Sequence, residues 1–293
     1  MRLAIASGKG GTGKTTVATN LAGMASQAGR TVAYVDCDVE EPNGHLFLKP
    51  EIDEQRPIEK LTPEIDPTRC THCGRCAQAC RYGAIASLPQ QTLVFAELCH
   101  ACGGCVLACP AGAIREVPRA IGLLRAGHSG GLRFVEGVLN VGEAMAPPAI
   151  RAVKAAAPAA ELTILDAPPG TSCPVIETVR GSDLVLLVTE PTPFGMHDLT
   201  LAVEMVRSLQ LPMAVIINRA GAGEEHVRGF CAGENIPILA AIPDDRAVAE
   251  AYSRGEMASA VVPGFGDRLR ELLAAIVVHR TREASRPAAR ASG

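Results

Sequence analysis

The sequence has no excess of basic charge: 28 lysines and arginines stand against 31 aspartates and glutamates, a net charge of −3. A nucleic-acid partner held through phosphates needs a positive footprint, so none is expected. Long apolar runs are missing too. Nothing approaches the roughly 18 uninterrupted apolar residues of a spanning helix, so no membrane partner is expected either. The first residues form a short apolar run leading straight into glycines, without the charged, apolar and cleavage-site order of an export signal. A cytoplasmic, reducing setting is the expectation.

Against these absences stand 11 cysteines, eight of them between Cys70 and Cys109, with Cys37, Cys173 and Cys231 scattered. Such density in a chain without an export signal points to metal ligation rather than disulfides. With 293 residues, 47% of them hydrophobic, there is material for one large α/β domain and a small one.

Along the chain, residues 2–7 read as a strand, 14–28 as a helix with Val17, Leu21 and Met24 on one face, and 31–36 as a second strand. This βαβ opening favours a parallel sheet with right-handed crossovers. From about residue 50 to 118 the rhythm stops, in a stretch rich in proline, acids and cysteine with a strand-like piece at 93–96. It resumes with helices at 143–157, 196–209 and 265–279 and strands at 162–166, 184–189, 213–218 and 236–242. The reading is a large α/β domain over residues 1–60 and 118–280, an insertion over 61–117, and a disordered tail over 281–293.

Gly8-Lys9-Gly10-Gly11-Thr12-Gly13-Lys14-Thr15 satisfies G-x-x-x-x-G-K-[ST] between a strand and a helix. Glycines let backbone N–H groups turn onto phosphates, and the helix N-terminus adds its dipole. Lys14 then neutralises phosphate charge, and the Thr15 hydroxyl is a ligand for Mg²⁺. The alternative is a glycine-rich turn followed by an accidental Lys-Thr, which the flanking strand and helix disfavour.

With Lys9 near its start and Thr16 at its end, the loop resembles the deviant Walker A motif of the MinD/ParA/Mrp group of ATPases. The resemblance implies an α/β P-loop NTPase fold with a mostly parallel sheet flanked by helices, and slow hydrolysis of ATP with Mg²⁺. It also implies an ATP-dependent homodimer, in which Lys9 reaches across to the partner's nucleotide. By the same resemblance Asp38 orients the attacking water, Asp166 holds Mg²⁺ through water, and Asn218, Arg219, Pro243 and Asp244 meet the adenine.

Within the insertion, the run from Cys70 to Ile85 repeats as Cys99 to Ile114, each copy reading C-x2-C-x2-C-x3-C. The spacing is that of bacterial-type ferredoxins, which resemble it in α+β fold and carry two [4Fe–4S] clusters. By that resemblance Cys70, Cys73, Cys76 and Cys109 hold one cluster, and Cys99, Cys102, Cys105 and Cys80 the other. Two zinc sites are the competing reading, but zinc needs only four ligands from two C-x2-C knuckles, whereas eight lie in repeat here. Arg81 departs from the pattern, in which proline follows the fourth cysteine as Pro110 does. His72 and His100 are expected to be solvated or to neighbour the ligands.

The whole chain thus resembles MinD-superfamily ATPases with an inserted ferredoxin domain. Three functions follow: an ATPase coupling nucleotide state to electron transfer or cofactor assembly with a redox or cofactor-assembly partner, a MinD/ParA-like positioning ATPase, or an electron carrier with regulatory nucleotide. Cys173 stands at the offset where the nitrogenase iron protein has a cluster ligand, yet a buried structural thiol is the favoured reading. Cys37 is read as a simple small residue, and Cys231 likewise, on a surface helix. The C-terminal C-x-x-C of Mrp-type carriers is missing.

Overall fold

The computed structural model describes residues 1–284. In chain order its elements are β1 (Arg2–Ala6), α1 (Lys14–Gln27), β2 (Val32–Asp36), α2 (Gly44–Leu48), β3 (Glu51–Ile65), α3 (Arg75–Ala79), β4 (Ile85–Leu88) and β5 (Gln91–Val94). Then come α4 (Gly104–Ala108), β6 (Ile114–Ser129), β7 (Leu132–Leu139), α5 (Ala146–Ala156), β8 (Leu162–Asp166), α6 (Cys173–Val179), β9 (Leu184–Thr189) and α7 (Pro193–Ser208). The chain closes with β10 (Met213–Ala220), α8 (Glu224–Gly233), β11 (Ile238–Pro243), α9 (Arg246–Ser253), α10 (Ala258–Val261) and α11 (Phe265–Ala284).

Unbroken aliphatic runs such as those of β8 and β9 suit strands buried on both faces, and both are buried throughout. They lie in a nine-stranded sheet of order β11-β10-β9-β1-β8-β2-β7-β6-β3. The strands from β11 to β7 run parallel; β6 and β3 join antiparallel at one edge. One face packs on α1 and α11, through Val17, Leu21, Leu269, Leu272 and Ile276. The other packs on α5 to α8, through Ile150, Val179, Val206 and Val227. Each such side chain contributes about 1.5–3 kcal/mol by leaving water. Cys231, on α8 with its otherwise largely exposed residues, turns inward into this second core and is 1% exposed.

The stretch read as the end of the alternating rhythm holds the two longest strands. β3 and β6 pair from Glu51 opposite His128 to Ile65 opposite Ile114. Pro57 and Pro63 hide β3 from sequence reading, yet an edge strand needs no N–H on its open side. The boundaries expected at 60/61 and 117/118 fall inside these strands, so the cysteine runs grow directly out of the main sheet. The strand-like piece at 93–96 is the second arm of a β4–β5 hairpin, with Ile85 opposite Val94. At the far end, α11 continues to Ala284, so the expected disordered tail does not begin at 281; its remainder lies outside the described residues.

Candidate nucleotide site and cysteine-lined pocket

Gly13 stands between β1 and α1 at φ 93, and a Cβ there would collide with Asn218 Nδ2. Only glycine meets both demands. Asn218 in turn donates to the Thr12 carbonyl at 2.8 Å, bracing the loop from β10. Lys14 is buried at the start of α1, and its Nζ donates to Ser7 Oγ at 3.0 Å, while Ser7 donates to the Lys9 carbonyl at 2.6 Å. Burial lowers the Lys14 pKa, against the pull of Asp166 and Asp38 toward the charged form. A desolvated lysine held inside a phosphate-sized loop is poised to meet anionic oxygens.

The acids lie on neighbouring strand ends. Asp36 and Asp166 are register partners across β2 and β8. Burial pushes Asp166 up to about 6, partly relieved by the hydrogen bond from the Tyr34 hydroxyl and by the neighbouring Thr15 hydroxyl and Lys14 charge. Burial and the Asp166 charge likewise push Asp38 up to about 6. Asp36 is fully buried and raised well above the usual carboxylate range by that burial and by Asp166. Its oxygens accept backbone N–H groups from Asp38, Asn43 and Gly44 at 2.9–3.2 Å, which shapes the loop after β2. Asp166 Oδ1 and Thr12 Oγ1 are buried without a protein partner. An orphaned carboxylate oxygen beside a lysine and a threonine hydroxyl fits a hydrated Mg²⁺.

Above the loop opens a cleft lined by Gly10, Gly11, Gly13, Lys14, Thr15, Thr16, Asp38, Asn218, Arg219, Pro243 and Asp244. Gly8, Lys9 and Thr12 instead line a crevice against α7. Sequence reasoning missed Asp245, Val248, Tyr252 and Phe265, which complete the cleft wall opposite the loop. The sequence signal available for Val248 and Tyr252 was a four-residue helical spacing on α9. Lys9 is paired with Glu190 at 2.9 Å, and Arg219 with the other oxygen of Glu190 at 2.9 Å. Burial opposes the Glu190 charge, but the two cations outweigh it and lower its pKa.

The two cysteine runs repeat in geometry as well as sequence. His72 and Ala101 share φ 55 and 54, Gly74 and Gly103 share φ 74 and 69, and Gly83 and Gly112 share φ 65 and 55. The Ala84 N–H donates to Cys80 Sγ and the Ala113 N–H to Cys109 Sγ, both at 3.3 Å. A pocket is lined by Cys70, Cys73 and Cys76 of the first run and Cys109 of the second. Burial pushes the Cys76 thiol up, with Cys70 and Cys109 adding to it. In the second run burial pushes Cys105 up, and Cys99 and Cys102 add to it. His72 Nδ1 lies 3.8 Å from Cys70 Sγ, and His100 stacks on Tyr82 at 3.5 Å between centroids. Among the described residues no three His, Cys, Asp or Glu side chains are grouped to hold a single metal ion. The pocket brings Cys109 of the second run beside Cys70, Cys73 and Cys76, and the Ala113 N–H donates to the Cys109 sulfur.

Cys173, at the first turn of α6, is exposed, which corrects its favoured reading as a buried thiol. Cys37 is fully buried among the second core, and burial pushes its thiol far up.

A strand–loop–helix with a buried lysine, two acids at adjacent strand ends and a cleft above them defines a P-loop nucleotide-binding protein. Residues 3–258 match the CobQ/CobB/MinD/ParA nucleotide binding domain, and the chain belongs to that family. It is 37% identical over 225 residues to an uncharacterized protein of Methanocaldococcus jannaschii, covering 75% of this chain and 79% of that one. A second uncharacterized protein of the same organism is 29% identical over 259 residues, covering 87% and 90%. Among solved structures, the septum site-determining protein MinD of Pyrococcus horikoshii, complexed with Mg-ADP, is similar over 97% of each chain at 20% identity, with a TM-score of 0.58. The cell division ATPase MinD of Pyrococcus furiosus is similar over 95% and 98%, at 20% identity and a TM-score of 0.56. At such identity the likeness speaks for the fold. No helix among the described residues is long and apolar enough to cross a membrane.

Proposed function

We propose that this MinD/ParA-family chain binds and slowly hydrolyses Mg-ATP as a homodimer, and that its inserted module holds two [4Fe–4S] clusters coupled to nucleotide state. One observation carries the cluster half of this reading: Cys109 of the second run joins Cys70, Cys73 and Cys76 around one pocket. Such an exchange of the fourth ligand between runs is the pattern of two-cluster ferredoxins. The corresponding set for the other cluster is Cys99, Cys102, Cys105 and Cys80. When bound, the clusters supply one-electron chemistry; the chain's own part is to fix the sulfurs and donate N–H groups to them. In the nucleotide half, Lys14 meets phosphate charge, Thr15 and Asp166 hold Mg²⁺, and Asp38 orients water for in-line attack. The partner is a redox or cofactor-assembly protein in the cytoplasm.

A second reading is a positioning ATPase, and the family match and the MinD structural neighbours favour it over the cluster reading. It calls for ATP-dependent attachment to a lipid surface or DNA.

The deciding experiment is ATP hydrolysis by anaerobically purified chain with oxidised and with dithionite-reduced clusters, after assaying iron, expected at roughly eight per chain. A rate that changes with redox state supports coupling. Iron-free protein that co-sediments with liposomes or DNA in ATP would overturn the cluster reading in favour of positioning.

A further inference from the structure

Tyr34 is fully buried on β2, and its hydroxyl donates to Asp166 Oδ2 at 2.8 Å. A buried phenol needs a partner, and this one has taken one oxygen of the carboxylate at the end of β8. The other oxygen, Oδ1, has none. The two oxygens of Asp166 are therefore not equivalent: one is tethered by the protein, the other free for a ligand.

The phenol itself has little room to move. Its ring stacks on Phe134 of β7, centroids 5.8 Å apart and planes 12° from parallel. On another side lies Gly44, where a Cβ would collide with the Tyr34 hydroxyl. The Gly44 N–H in turn donates to Asp36 Oδ2 at 2.9 Å. The hydroxyl thus sits where the loop after β2 meets the carboxylate at the end of β8, with a rigid aromatic behind it.

We infer that Tyr34 is a positioning residue for the divalent cation. It locks the Asp166 carboxylate about its terminal torsion, so that Oδ1 faces the cation's hydration shell. This rests on the Mg-ATP site proposed above. Without the hydroxyl the carboxylate rotates through a broad two-fold well, and the cation loses an oriented acceptor.

Tyr34→Phe tests this, because the ring and its stack on Phe134 remain. Binding of a fluorescent ATP analogue in EDTA is expected to be unchanged, whereas half-saturation by Mn²⁺, read by its paramagnetic resonance in the presence of nucleotide, rises about tenfold. Gly44→Ala, whose Cβ presses on the same hydroxyl, should give the same Mn²⁺ defect and covers the case in which Tyr34→Phe does not fold. Unchanged Mn²⁺ binding in folded Tyr34→Phe overturns the inference. Failure of the unaltered chain to bind Mn²⁺ with nucleotide overturns the site reading itself.

Discussion

Lys60 of β3 and Glu143, in the loop before α5, form a 2.5 Å ion pair with both side chains 1% exposed. Arg119 of β6 joins the same carboxylate at 2.6 Å and reaches Glu97 at 2.9 Å, while Lys60 also donates to the Glu97 carbonyl at 3.4 Å. Two turns of chain are thereby tied together: the one entering the second cysteine run, and the one entering the helix that packs on α6. Removing Lys60 takes one of two cations from the buried Glu143 and leaves Arg119 to hold it. Lys60→Met is expected to cost about 1–3 kcal/mol in urea unfolding, and Lys60→Met with Glu143→Leu to recover most of it. A double variant as unstable as the single would show that the pair is not the unit at work.

The raised carboxylates give the ligand-free chain a definite pH response. Asp166, moved from 3.8 to about 6 chiefly by burial, keeps its proton in the folded state over a range where the unfolded chain has released it. The unfolded state then binds fewer protons, so stability falls as pH rises from about 4 through about 6. Asp166→Asn should flatten that fall and stabilise the nucleotide-free chain at pH 7 by roughly 1–3 kcal/mol, while destroying its response to Mg²⁺. Thermal unfolding at pH 5 and pH 8, with and without Mg-ATP, reads both effects. With Asp38 in the proposed role of orienting the attacking water, hydrolysis should decline below about pH 6.

In the proposed dimer, Lys9 must leave Glu190 before it can reach a partner's nucleotide. Breaking a partly exposed pair costs about 1 kcal/mol, so Glu190→Gln should let the chain dimerise at roughly fivefold lower ATP. Lys9→Ala should bind nucleotide as a monomer and fail to dimerise. Light scattering against ATP concentration separates the two, and a Lys9→Ala dimer would end the role assigned to that lysine.

The proposed crossed ligation makes an unusual arithmetic for the cysteines. Cys109→Ser and Cys73→Ser should each lower iron from roughly eight to roughly four per chain, and together should lower it no further. Cys73→Ser combined with Cys80→Ser should remove nearly all of it. If Cys109→Ser combined with Cys73→Ser also removed nearly all of it, the fourth ligand would not be exchanged between runs.

What was legible in the sequence was local. The phosphate loop, its lysine and the two cysteine runs declare themselves because ligand spacing and strand–glycine–helix order lie within a few neighbouring residues. The edge ribbon did not, since Leu61 opposite Pro118 and Arg56 opposite Leu124 are pairings across long chain separations, and the prolines of β3 mimic a loop. Lys60 and Glu143, 83 residues apart, read as two ordinary surface charges until the fold buries them. Exposure was the other blind spot: Cys173 at a helix start faces solvent, while Cys231, on a helix with charged neighbours, is inside. Tyr34 looked like one more strand aromatic, because its hydroxyl acquires meaning only from Asp166, 132 residues away.

The ribbon of β3 and β6 also sets a mechanical scale. Arg125 stands opposite Glu136, which is itself the register partner of Asp36, and β6 runs from there to Ile114 beside the cysteine pocket. At about 3.3 Å per residue that is a lever of roughly 35 Å. A tilt of about 3° at its root would swing its tip by about 2 Å. Under the proposed coupling, the nucleotide would not need to lie near the cysteines to change what they can touch.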